Sequence, residues 1–322
     1  MTTNDEKKEF FNEDREFQNL VKKAKRKTIL RNVIMTCVIS PVLLFTLYFV
    51  GAWTMKNKIE KESHYEGAWN AIQGANIQSN GTVYNHQFLS ATSTEDFVKK
   101  IGNVPIPWGK REKQYTFLGT SKLIVSLGAS GSGSVNDERI YLYENGERAI
   151  EFFHPSIPFK NLYDDRNALE EMNDNKLVEF AFSFDQAYSI QEVSKMFNKD
   201  DLAWYWVDTF SKEDIEEYKK DMKEIQSDHT IYGDGAYGFV YNESDEGIGF
   251  IQSLEMAKKE GMYKETAQEI YDNLTNNGKI KLTSENLNII GVVVTGEAKE
   301  LKKYIDSPFI RAATLGATTD KY

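Results

Sequence analysis

The sequence predicts an α+β protein carried on a single transmembrane helix. Three observations support this. An uncharged run of 23 residues, 33–55, interrupts a chain whose mean hydropathy is −0.53. Short strands follow one another between residues 82 and 158, and beyond residue 177 a strand–helix–strand order appears twice. At 322 residues, 40% hydrophobic and 27% charged, the composition is that of a folded globular chain rather than a disordered one. The one cysteine, Cys37, excludes a disulfide framework and any multi-cysteine zinc or iron–sulfur site. A formal net charge of −10 argues against nucleic acid as a partner, because phosphate affinity needs concentrated Lys and Arg.

Residues 1–32 form a tail with nine Lys/Arg against six Asp/Glu, which leaves −13 on the remainder. Its first half is mostly acidic. Its second half holds Lys22, Lys23, Lys25, Arg26, Lys27 and Arg31 with no acid after Glu16. Phe10, Phe17, Val21 and Ala24 recur at seven, four and three residues, a stripe along one face of a helix that Phe11 and Leu20 widen. Such a short amphipathic helix either docks into a groove on a cytoplasmic partner or lies on anionic lipid with Phe turned inward.

The run 33–55 is long enough to cross a bilayer, about 34 Å at about 1.5 Å per residue. Eleven of its residues are Val, Ile, Leu or Phe, together contributing about −5 kcal/mol toward insertion. Pro41 is tolerated in a span, and Tyr48 and Trp53 suit the outer interface. A cleaved signal peptide would use Val50 and Ala52 as its small residues, but the run exceeds the about 7–15 residues of a signal core. A buried core helix would rarely be so uniformly apolar. Six basic residues before the run, against Lys56, Lys58 and Lys61 mixed with Glu60 and Glu62 after it, place the N-terminus in the cytoplasm. The protein is therefore expected in the cell membrane, single-pass, with its bulk extracytoplasmic.

Residues 56–78 still read as helix, a stalk that Asn80-Gly81 ends. The region 79–160 reads as strands at 83–89, 114–118, 123–127, 139–143 and 149–153. Glu144-Asn145-Gly146-Glu147 suits a hairpin turn between the last two, and the Gly/Ser stretch 128–134 reads as loop. In the last region, 161–322, residues 178–184 alternate as a strand, Ser189-Ile-Gln-Glu192 reads as a capping box for a short helix, and 202–207 is a second strand. Helices are expected at 212–226, 247–260 and 263–276. A strand at 288–295, a helix at 297–305 and a strand at 309–315 repeat the order. Two strand–helix–strand units sharing a sheet give a repeated βαβ, ferredoxin-like α+β sandwich.

Chemical motifs are scarce. Gly233-Asp-Gly235-Ala-Tyr-Gly238 matches G-x-G-x-x-G, but a charged helix precedes it and a strand follows, so it reads as a turn into a strand. His64, His86, His154 and His229 are too scattered for a metal site, and Asp164-Asp165 and Asn173-Asp-Asn175 lack calcium-loop spacing. Trp204 and Trp206 share one face of their strand and Tyr205 takes the other, in core packing. No nucleophile, base and oxyanion site assemble, so neither an enzyme nor a cofactor is expected.

Three stretches carry a family likeness. Lys23-Ala-Lys-Arg-Lys-Thr-Ile-Leu-Arg-Asn32 leads into the span. Ala181-Phe-Ser-Phe-Asp-Gln-Ala-Tyr-Ser-Ile-Gln-Glu-Val193 is followed by Ala203-Trp-Tyr-Trp-Val207. Ile289-Ile-Gly-Val-Val-Val-Thr-Gly296 is followed by Lys299-Glu-Leu301 and Ile310-Arg-Ala-Ala-Thr-Leu-Gly316. The chain resembles the membrane-anchored sigma-factor regulators of Gram-positive bacteria, the group containing the sigma-M anti-sigma protein. The resemblance implies a single-pass protein that sequesters an extracytoplasmic-function sigma factor, with an outer domain that senses envelope stress or meets other membrane proteins. Phe10, Phe11, Phe17, Leu20 and Val21 are then the candidate sigma contacts. The tail is shorter than the helical bundles usual in anti-sigma domains and lacks the His/Cys zinc motif many carry. The alternative is an anchored extracytoplasmic module that binds a ligand or protein without touching a sigma factor.

Overall fold

The computed structural model describes residues 3–320, apart from 126–128, 136–137, 144, 161, 163 and 226–229. For residues 3–16, 129–135, 138–143 and 225 the description is of the backbone alone. Parts of five sequence expectations therefore lie outside the described residues: the end of the strand at 123–127, Gly128, Glu144 of the hairpin turn, the end of the helix at 212–226, and His229.

The first element, α1 (Thr3–Asn70), is a helix of 68 residues, about 100 Å long. The stalk continues the span, as expected, while the tail helix, expected to be short, runs on into the span without a break. Apart from Pro41, no residue before Gly51 breaks a helix, and Lys, Glu, Leu and Met, all good helix formers, fill the segment. The helix ends earlier than expected, at Asn70, where Gly74 (φ 93°) and Asn76 (φ 58°) turn the chain in left-handed conformations.

Four antiparallel strands follow in sequence order, β1 (Gln78–His86), β2 (Ser90–Ile101), β3 (Val104–Thr116) and β4 (Ser121–Val125). Asn80-Gly81 is not the end of a stalk but a bulge inside β1, at the register shift between Ser79 and Thr82. β2 has no counterpart among the expected strands. Its alternation is real, but polar residues such as Ser93 and Lys99 occupy inward positions. Pro105 and Pro107 lie where β3 pairs with β2 alone, so their missing N–H groups break no ladder.

The Gly/Ser stretch expected as loop forms β5 (Ala129–Val135), paired with β6 (Glu138–Tyr143). Among the described residues the expected hairpin around Asn145-Gly146 does not form: β6 pairs with β5. The turn itself survives, with Gly146 at φ 81° and Asn145 Oδ1 accepting from Glu147 N at 3.0 Å. The next strand, β7 (Glu151–Phe152), pairs instead with β10 (Ile231–Tyr232), far along the chain.

After α2 (Arg166–Glu171), the remaining elements build the main sheet. They are β8 (Leu177–Tyr188), α3 (Ile190–Met196), β9 (Leu202–Val207), α4 (Lys212–Ile225), β11 (Gly238–Val240), α5 (Ile248–Ala257), α6 (Lys264–Thr275), β12 (Ile289–Glu297), α7 (Ala298–Leu301) and β13 (Ile310–Thr319). The sheet order is β11-β9-β12-β8-β13, all neighbours antiparallel. Within it, β8–α3–β9 and β12–α7–β13 interleave as β13-β8-β12-β9, the ferredoxin-like arrangement, and β11 extends the β9 edge. Ser189 caps α3 through the full box with Glu192.

Both faces of this sheet are buried, which explains the near-continuous apolar runs of β8 and β12. One face packs Phe180, Phe182, Tyr205 and Val292 against α3, α5, α6 and α7. The other packs Ala181, Trp204, Trp206 and Val293 against Ile150, Phe152 and Ile231. Trp204 and Trp206 thus oppose Tyr205 as expected. Gly238 begins β11 where a Cβ would lie 1.9 Å from the Tyr205 carbonyl oxygen, so the last glycine of the G-x-G-x-x-G match serves close strand packing.

Candidate functional site

The apolar stripe of the tail sits on the first turns of α1. Phe17 and Leu20 are each 65% exposed and Val21 is also exposed, so their faces are free for a partner. The side chains of Phe10 and Phe11 lie outside the described residues. Lys22, Lys23, Lys25, Arg26, Lys27 and Arg31 all stand exposed on the helix between this stripe and the span. From residue 17 to residue 50 α1 meets nothing buried, and its apolar window is long enough to cross a membrane, a single-pass anchor.

From Gly51 onward the same helix docks on the first sheet. Gly51, Met55 and Ile59, four residues apart, face Phe117, Ala91, Tyr84 and Tyr115. A Cβ on Gly51 would overlap the Phe117 ring, and Thr54 Oγ1 donates to the Phe117 carbonyl at 3.2 Å. One turn further the stripe turns acidic. Lys113 pairs with Glu66 and, at 3.4 Å, with Glu62; Ser121 Oγ donates to Glu62 at 2.6 Å. Arg111 bonds Glu95 at 2.5 Å and Asn70 Oδ1 at 3.2 Å. Burial pushes the Glu62 carboxyl up. The hydrogen bonds from Ser121 and Lys58 and the charges of Lys113 and Lys58 outweigh it, so its pKa lies below the usual value of 4.5.

The end of α1 enters the core of the main domain. Trp69 stacks on Tyr263 at 4.5 Å and meets Tyr237 edge-on, and Ile72 is fully buried beyond it. At the junction of the two sheets lies a buried ion pair. Lys99 Nζ of β2 donates to both carboxylate oxygens of Glu179 on β8, at 3.0 and 2.8 Å. Asn76 Nδ2 and the Ala317 amide also donate to Glu179, and Lys99 stands 4.2 Å over the Trp108 ring. Burial lowers the Lys99 pKa, opposed by Glu179.

A cleft of about 470 Å³ opens between α4 and α6, lined by Phe210, Asp214, Tyr218, Tyr237 and Glu269 among others. Its chemistry suits a cationic or aromatic group, although Asp214 already accepts from the Ser211 amide and from Asn273. His154 is committed as well. Its Nδ1 accepts from the Ser156 amide, so Nε2 carries the proton toward Asp208 at 3.2 Å. Among the described residues, no group of three or more His, Cys, Asp or Glu side chains is placed to hold a metal ion.

Sequence reasoning did not find the Lys99–Glu179 pair or the Glu62–Glu66–Lys113 network. The available signal was Glu179 itself, a lone acid among apolar neighbours in a strand. Residues 18–106 match the family model described as "Sigma factor regulator N-terminal", and residues 169–317 match the one described as "Sigma factor regulator C-terminal". No curated protein and no solved structure matches the chain.

Proposed function

Because the chain belongs to the sigma factor regulator family, we propose that it is a membrane-anchored anti-sigma regulator with a non-catalytic role. In this reading the exposed face formed by Phe17, Leu20 and Val21, continued by Phe10 and Phe11, holds an extracytoplasmic-function sigma factor in a helix-in-groove contact. The basic flank from Lys22 to Arg31 keeps this arm on the cytoplasmic side, and the two sheets lie outside. Release then follows envelope conditions met by the outer domain.

The observation that carries the proposal is the continuity of α1. One helix runs from the exposed stripe to Trp69 in the core of the main domain, with Ile72 buried just beyond its end. A change of packing there has a stiff connection to the arm. Truncating one well-buried Phe or Leu contact costs about 1.5–3 kcal/mol, roughly a tenfold to hundredfold loss of affinity. Affinity purification of the full-length protein from membranes should recover a sigma factor, and Phe17→Ala with Leu20→Ala should remove it. Replacing residues 1–32 by an unrelated basic sequence should abolish the regulation. If regulation survives that replacement, the reading fails in favour of an anchored module with no sigma contact.

A further inference from the structure

Two turns of the first sheet carry large apolar side chains that stay largely exposed. The β1–β2 turn exposes Phe88 (75%) and Leu89, and the β3–β4 turn exposes Leu118 (85%). Residues 87–94 and 114–121, which include these turns, contain no charged residue. Both turns lie against the membrane helix. Phe88 stacks on Tyr48 with ring centroids 5.2 Å apart, and Phe117 meets Tyr48 and covers Gly51.

Tyr48 fixes the depth of these tips. It precedes Lys56, the first charge beyond the span, by eight residues, about 12 Å along the helix. A hydrocarbon core of about 30 Å needs about 20 residues. Counted outward from Asn32, that core ends near Ala52, with Tyr48 inside it. Sliding the core inward until Tyr48 reaches its boundary would draw Arg31 into hydrocarbon. In either placement Phe88 lies at or below the boundary, beside lipid rather than water.

We propose that the tips of the β1–β2 and β3–β4 hairpins, Phe88-Leu89 and Phe117-Leu118, insert into the lipid interface of the leaflet on the domain's side. The first sheet is thereby seated on the bilayer at three points, α1 and two wedges, and the angle between helix and domain is held by lipid as well as by protein. The occupant is lipid because this surface continues the lipid-facing surface of α1 without a charged break. The inference rests on α1 being the anchor, and its test separates the two.

The chain's sole thiol, Cys37, lies in the span, so single-cysteine variants are simple to make. Full-length Cys37→Ser protein bearing Phe88→Cys or Leu118→Cys would be labelled with an environment-sensitive fluorophore. It would be reconstituted into vesicles of zwitterionic and anionic phospholipid. Quenchers fixed high on the acyl chains should cause a loss of emission at both tips and none at Glu255→Cys on α5. The unaltered protein labelled at Cys37 reports whether α1 itself is embedded. Quenching at Cys37 with emission at both tips unchanged would overturn the wedge while leaving the anchor intact. Absence of quenching at Cys37 would overturn both. Disulfide-linked dimers through position 88 or 118, without quenching, would mean that a second copy covers the tips and would likewise overturn the proposal.

Discussion

Glu179 is where the fold concentrates its electrostatic risk. It is fully buried on β8, and its counter-charge, Lys99 on β2, comes from another sheet; Asn76 and the Ala317 amide donate to it as well. A buried pair contributes little net stability, yet breaking one leaves a stranded charge and typically costs about 3–5 kcal/mol. Lys99→Met should therefore destabilise the protein by about that amount, measured by denaturant unfolding of the full chain in detergent. Adding Glu179→Gln should recover part of it, because it removes the stranded charge, while its single amide oxygen can accept from only one of Asn76 and the Ala317 amide, which met different carboxylate oxygens. Equal losses in the single and double variants would disprove the pairing argument. In the sequence Glu179 alternates with Val178 and Phe180 and so reads as facing solvent. The segments that carry Asn76 and Lys99, laid over that face from distant parts of the chain, make the position internal.

At the scale of elements, local signals served the main domain well. Ser189 and Glu192 announce α3 because a capping box is a contact between near neighbours, and it forms as written. The alternation of 178–184 and the apolar run 202–207 likewise became β8 and β9. The first sheet was harder to read, since β2 and β3 turn Lys99, Arg111 and Lys113 inward and disguise their alternation. Those cations are buried because acids on α1 and β2 or on β8 meet them, a complementarity that no short window of sequence contains. Glu62 gives this docking a pH dependence. Its pKa is depressed in the folded protein, so the folded state binds fewer protons than the unfolded one near the usual value of 4.5. Its contribution is complete above that value and is lost as pH falls through the lower, folded one. Protection of the amides in α1 around residues 58–66, taken relative to the intrinsic exchange rate at each pH, should fall below about pH 4.5, and Glu62→Gln should weaken that dependence. An identical pH response in both proteins would show that Glu62 does not hold the helix to the sheet.

For the whole molecule, the doubled strand–helix–strand order was enough to anticipate the interleaved sheet, because short connections and antiparallel pairing leave few alternatives. What it did not reveal was that the tail runs unbroken into the span and stalk, and that the end of this one helix is a core element. If the proposed regulator works through that helix, the orientation of the arm is fixed relative to the domain. The phase of the helix then becomes testable. Each inserted residue turns everything before it by about 100° and moves it about 1.5 Å, so one alanine between Lys27 and Thr28 swings the Phe17–Leu20–Val21 face to another side. Seven alanines return it to within about 20° while displacing it by about 10 Å. If outer-domain packing is conveyed as a rotation of α1, sigma-dependent transcription should be misregulated by the single insertion and largely restored by seven. If conveyed as a piston movement or by tethering alone, the response should follow length or not change. Binding measured on the same variants separates the two layers of the argument. Sigma factor should co-purify with both, because the arm is intact in each, while only the phase-matched protein keeps its response to the outer domain.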